Sequence, residues 1–235
     1  MIQNNLIALL ITFAVALAWL RLNDFAAHRG WISSHLSRKI IHMGTGPLFV
    51  LCWPLFTGSP YSRYLAALVP LAITLQFILV GIGVVRDPAA VQAMTRSGDR
   101  REILRGPLYY GIVFVALTTL YWYDSPTGMV GLMLMCGGDG LADILGRRFG
   151  RTPLPWSPRK TWIGSFGMFL GGWSFALGIV LAFILFNIFP GQSVDYLLPI
   201  TLIALAATLV ESLPLHDIDN ITVPLVAVLI GPVFW

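Results

Sequence analysis

Eight apolar runs, at about 4–20, 40–57, 63–85, 106–123, 126–146, 162–188, 196–213 and 220–235, leave little of this chain for anything but membrane-crossing helices. Runs of roughly 17 to 25 apolar residues cross a hydrocarbon core of about 30 Å as helices, which satisfy their own backbone groups. Hydrophobic residues make up 57% of the 235 and charged ones 11%, against about a quarter charged in a soluble domain. The expected fold class is all-α: a polytopic helical membrane bundle of about eight transmembrane helices, forming one domain over residues 1–235. The first run follows Met1-Ile2-Gln3 without a basic segment and is span-length, so it reads as a permanent helix, with no cleavable signal evident.

Basic residues alternate with the runs. Arg21, Arg29, Arg38 and Lys39 follow the first, five arginines from Arg86 to Arg105 follow the third, and Arg147 to Lys160 follow the fifth, with only Arg63 opposite. The positive-inside rule then places both termini outside and these loops in the cytoplasm, together with residues 211–219. Asp139, Asp143, Glu211, Asp217 and Asp219 share that face, where nucleotides and magnesium are found. The formal charge of +4 fits topology and attraction to anionic membrane lipids, and the loop cations equally suit a polyphosphate; nucleic-acid binding has little support. Cys52 and Cys136 lack metal-ligand spacing and read as small apolar packers. The tryptophans near run ends, Trp53, Trp122, Trp156 and Trp162, read as interfacial anchors.

The fifth run ends in Cys136-Gly-Gly-Asp139-Gly-Leu-Ala-Asp143, putting two acids inside an apparent span, where ionisable residues are functional by default. Asp139, Asp143 and Arg147 recur every four residues and share one helix face. Two carboxylates a turn apart suit Mg2+, which keeps waters and takes its remaining ligands from substrate phosphates. The alternatives are an interhelical ion pair or the wall of an aqueous channel. Gly137, Gly138 and Gly140 either permit close helix contact or open the helix so that amides approach phosphate.

Arg147, Arg148 and Arg151 precede a loop that Pro153, Pro155 and Pro158 hold open and extended. Lys160 then supplies a point charge for phosphate. Thr161, Gly164 and Ser165 open the sixth run with hydroxyls and free amides, an anion-favouring helix N-terminus. Walker glycine spacing is absent.

The segment Asp139-Gly-Leu-Ala-Asp143, with Gly146, Gly150, Pro155 and Lys160-Thr-x-x-Gly-Ser165, resembles the CTP-dependent polyprenol kinases, phytol kinase in particular and dolichol kinase more distantly. Arg38-Lys39-Ile-Ile-His42, Glu102 with Arg105-Gly-Pro-Leu-Tyr-Tyr110, and Glu211-Ser212 with Asp219-Asn220-Ile-Thr-Val-Pro224 agree in order, so the resemblance covers most of 38–224. It implies metal and nucleotide roles for Asp139 and Asp143, a phosphate contact for Lys160 and an anion turn at Gly164 and Ser165. It also implies a kinase that moves the γ-phosphate of CTP, with Mg2+, to an isoprenoid alcohol such as phytol or geranylgeraniol. The chain is shorter than typical dolichol kinases, which favours the shorter alcohols.

Arg38 and His42 share a helix face where Arg clamps phosphate and His moves a proton, although Arg38 and Lys39 also fit snorkelling anchors. The general base is Asp143, Asp219 or His42. Asn220 either caps the eighth helix or joins Asp219 and Glu211 in a ribose or metal site. Of Asp217 and Asp219, flanking Ile218, spacing does not choose. The rival readings are a CTP-dependent lipid cytidylyltransferase and, in another class, an ion-coupled transporter with the acids as ion sites.

Overall fold

Polar side chains receive the orphan amides at the start of the first two helices. Asn4 accepts from Leu6 and Ile7 ahead of α1 (Asn5–His28), and Ser33 accepts from Leu36 ahead of α2 (Ser34–Leu51). The computed structural model describes residues 4–95, 97–215 and 218–235. It divides into two compact units, Met1–Thr119 and Leu120–Trp235.

In the first unit α3 (Ser62–Ile82), α4 (Pro88–Met94), a 3-10 turn (Arg100–Leu104) and α5 (Gly106–Leu120) follow. Helix α1 packs on α2 and α3, and α3 on the 3-10 turn. Gly83, at φ +87°, ends α3 in the left-handed region that a side chain would strain.

The second unit holds α6 (Pro126–Met133), which passes through a π turn (Leu134–Asp139) into α7 (Gly140–Phe149). A hairpin of β1 (Pro153–Leu154) and β2 (Ser157–Thr161) follows, then α8 (Trp162–Leu185), α9 (Ser193–Glu211) and α10 (Asp219–Ile230). Every residue of α6 is buried, with α8 and α10 packed against it.

Helix α9 shows what medium the bundle is built for. Leu198, Leu202, Leu205 and Leu209 form an exposed stripe, while Ile200, Ile203, Ala204 and Ala207 face inward. A helix that is apolar on both faces belongs in lipid.

Among the described residues, six helical segments are long and apolar enough to cross a membrane: Asn5–Ala27, Ser62–Ile82, Arg100–Leu120, Pro126–Phe149, Trp162–Leu185 and Ser193–Glu211. The sequence suggested about eight. All eight expected runs contain helix, but α2 carries Arg38, Lys39 and His42 in its first half, and α10 has only 12 residues, about 18 Å at ~1.5 Å each. The proline loop is likewise not simply extended. Pro153 pairs with Thr161 and Leu154 with Ser157, closing an antiparallel hairpin.

Candidate active site

Glycine packing decides where the acids of the second unit stand. A Cβ on Gly137 would come within 2.6 Å of the Gly171 carbonyl, and one on Gly138 within 2.6 Å of Met168 Sδ. On α8, Gly167 meets the backbone of Leu141, and Gly171 meets that of Gly137. Of the two readings left open for Gly137 and Gly138, close helix contact is therefore the one observed.

This contact carries Asp139, the last residue of the π turn, to a half-buried place along α8. Such widened turns recur at functional sites. One turn on, Asp143 Oδ1 accepts from Arg147 Nε at 2.8 Å, as the four-residue spacing requires. Asp139 comes within electrostatic reach of Glu211 on α9.

At its far end α7 meets the start of α8. A side chain on Gly150 would strike the Gly146 carbonyl and Thr161, and one on Gly146 would lie 3.5 Å from Gly164 Cα. Thr161 Oγ1 caps α8 by accepting the Gly164 amide at 3.2 Å. Ser165 Oγ, one residue on, is buried and has no hydrogen-bond partner. Arg147, Arg148 and Arg151 are exposed around this junction, with Arg148 stacked over the Phe149 ring at 5.4 Å.

Lys160 is the hub. Its ammonium donates to the Glu211 backbone carbonyl, lies 2.9 Å from Glu211 Oε1 and reaches Asp219 Oδ2 at 3.5 Å. Three acceptors occupy the three hydrogens that a lysine offers. Glu211 Oε2, on the buried side, accepts no hydrogen bond. Four residues before Lys160, Trp156 Nε1 donates to both the carbonyl and the hydroxyl of Ser212, at 3.1 and 3.2 Å. Sequence spacing marked Trp156 only as an anchor. Asn220 is not the cap of α10, whose N-cap is Ile218 and makes no side-chain capping bond. Asp217 lies outside the described residues.

Arg38, Lys39 and His42 stand together on α2 in the first unit, with Lys39 buried. The His42 ring packs on Tyr110, centroids 4.5 Å apart, and Tyr110 donates its hydroxyl to the His42 carbonyl at 2.7 Å. Two of the sequence motifs, 38–42 and 105–110, therefore meet.

Among the described residues no group of three or more His, Cys, Asp or Glu side chains is arranged to hold a metal. Asp139 and Asp143 offer hard oxygen donors only, and Mg2+ commonly uses one or two carboxylates plus phosphate. The residues fit an ion that arrives with a nucleotide, not a cage built by protein alone.

A multi-pass helical membrane protein with cations, buried carboxylates and a helix N-terminus gathered in one unit has the parts of an enzyme for an anionic substrate. The chain is 41% identical over 227 residues to a chloroplastic protein of Triticum aestivum named as a probable phytol kinase, covering 95% of this chain and 75% of that one. It is 40% identical over 203 residues to the chloroplastic phytol kinase 1 of Arabidopsis thaliana, covering 86% and 67%. A relative named as a probable phytol kinase 1 in Oryza sativa subsp. japonica is 42% identical over 224 residues, covering 94% and 71%. No family model and no solved structure matches the chain. The class is a membrane-embedded phosphotransferase with an alcohol acceptor. Within it, the chain belongs to the phytol kinase family of polyprenol kinases, the family its motifs resemble.

Proposed function

We propose that this enzyme transfers the γ-phosphate of CTP to an isoprenoid alcohol, phytol, geranylgeraniol or one similar, at the cytoplasmic face of its membrane. The observation that carries this reading is the convergence of Lys160, Glu211 and Asp219 beside the capped start of α8, in a chain related to phytol kinases along both units. That coverage also supports residues 1–235 acting as one lipid kinase domain.

Asp139 and Asp143 would hold Mg2+, which supplies charge neutralisation on the phosphates. Arg147, Arg148 and Arg151 draw the polyphosphate to the junction of α7 and α8. Thr161, Gly164 and Ser165 receive it there, Ser165 with a hydroxyl that has no protein partner. Lys160 reaches a phosphoryl oxygen by exchanging Asp219, its longest contact at 3.5 Å. Glu211 keeps the ammonium aimed, and Asn220 stands beside Asp219 for the ribose or metal.

The alcohol oxygen attacks the γ phosphorus, the bond to the β-phosphate oxygen breaks, and CDP leaves with a prenyl monophosphate formed. Positioning and charge stabilisation supply most of the acceleration in such a transfer, so no phosphoenzyme is invoked. The alcohol proton goes to Asp143, Asp219 or His42.

Purified protein in detergent, given magnesium, phytol or geranylgeraniol and CTP labelled separately at the γ or the α phosphorus, tests the proposal. Label in extracted prenol from γ alone is expected. Label from α on a phospholipid would mean a cytidylyltransferase, and no lipid label from either would turn attention to ion transport.

A further inference from the structure

Tryptophans at a membrane boundary ordinarily give their indole N–H to water or headgroups. Trp156 gives its own to protein. It occupies the hairpin turn between Leu154 and Ser157, and its N–H is shared between the carbonyl and the hydroxyl of Ser212, the residue that caps the end of α9. Ser212 follows Glu211, and Lys160 lies four residues beyond Trp156 on the same hairpin. The strand is thereby fastened to the end of α9 at two points, Trp156 to Ser212 and Lys160 to Glu211. The Trp156 ring also meets Trp162, the first residue of α8, edge to face at 5.7 Å and 81°. One side chain therefore ties together the hairpin, the end of α9 and the start of α8.

Lys160 needs that fastening. Its side chain is long and rotamer-rich, and its productive position requires β2 to keep register against a carboxylate 51 residues away. The hairpin is a two-stranded ribbon whose strands are both edges, and such a ribbon has little stability of its own. Pro153, Pro155 and Pro158 remove three amide donors from it.

We propose that Trp156 is a positioning residue, a strap that holds the hairpin on α9 so that Lys160 stays poised for the nucleotide phosphate. The inference rests on the kinase reading for its substrate and on the hydrogen-bonded geometry for the strap itself. Trp156→Phe keeps the ring and removes only the N–H, so it tests the strap without emptying the turn. In this variant KM for CTP rises about 3- to 10-fold, the range for one neutral hydrogen bond, while kcat and KM for phytol hold. In Lys160→Met protein the added Trp156→Phe change leaves CTP affinity, measured by equilibrium dialysis, within about twofold, because the route through Lys160 is already cut. Amide exchange of residues 157–161 and 209–213 quickens in Trp156→Phe.

An unchanged KM for CTP, equal effects on both substrates, or an additive effect in the Lys160→Met background would overturn the proposal and leave Trp156 an anchor. Should the parent protein transfer no γ-phosphate, the kinase reading falls. The exchange comparison still decides the strap: faster exchange upholds it, and unchanged exchange removes it.

Discussion

Lys160 and Glu211 show how one contact can serve both structure and chemistry. Their side chains are 17% and 10% exposed, so the pair is largely desolvated, and removing one partner strands a buried charge at a cost of about 3–5 kcal/mol. Lys160→Met should therefore lower thermal stability in detergent as well as abolish turnover. Removing both charges, in Lys160→Met/Glu211→Gln, leaves a near-neutral pair; most of the stability should return while turnover does not. If turnover returned with stability, Lys160 would be a structural lysine and nothing more. Residue types and short spacings make Asp139, Asp143 and Lys160 legible in the sequence, and the Asp143–Arg147 pair follows directly from a four-residue interval. The partner of Lys160 and the bond from Trp156 to Ser212 span 51 and 56 residues, so they depend on the folded arrangement and leave no local pattern.

At the scale of elements, periodicity finds helices well and their irregularities poorly. All eight expected runs contain helix, but the π turn at Leu134–Asp139 has much the same apolar and glycine composition as the α-helix that leads into it. The prolines read as holding an open, extended loop, which concealed the hairpin; in a two-stranded ribbon each strand has an open edge where a missing donor is tolerated. The glycines of α8 were visible without their purpose, and packing supplies it. Gly171→Ala sets a methyl against the Gly137 backbone, which cannot rotate aside, and should destabilise the bundle by about 1–3 kcal/mol. Gly178→Ala, on the same helix with nothing within 4 Å, should be neutral or stabilise by up to about 1 kcal/mol. Denaturant unfolding of the two variants side by side separates contact from helix propensity. Equal effects would mean that α8 does not meet the π turn through its glycines.

For the whole molecule, charge and length give different counts of crossing helices. If only the six long apolar segments cross, the basic loop between α1 and α2 and the arginines at 86–105 lie on opposite sides of the membrane. If α2 crosses too, the two basic groups share one side, as the positive-inside rule favours. Helix α2 has 18 residues, about 27 Å at ~1.5 Å each, nearly the ~30 Å hydrocarbon thickness. Arg38 and Lys39 fall in its first two turns, Lys39 buried within the protein and Arg38 half-buried where a long basic side chain snorkels to the boundary at modest cost. The smaller cost belongs to a crossing α2, since the alternative puts a whole arginine-rich loop on the unfavoured side. Single cysteines at exposed Trp31 and Ser97 decide the matter in sealed vesicles treated with an impermeant maleimide. Cys52 and Cys136 are buried and give no background while the protein stays folded. Labelling of Trp31→Cys and Ser97→Cys from the same side is expected, and labelling from opposite sides would establish the six-helix arrangement.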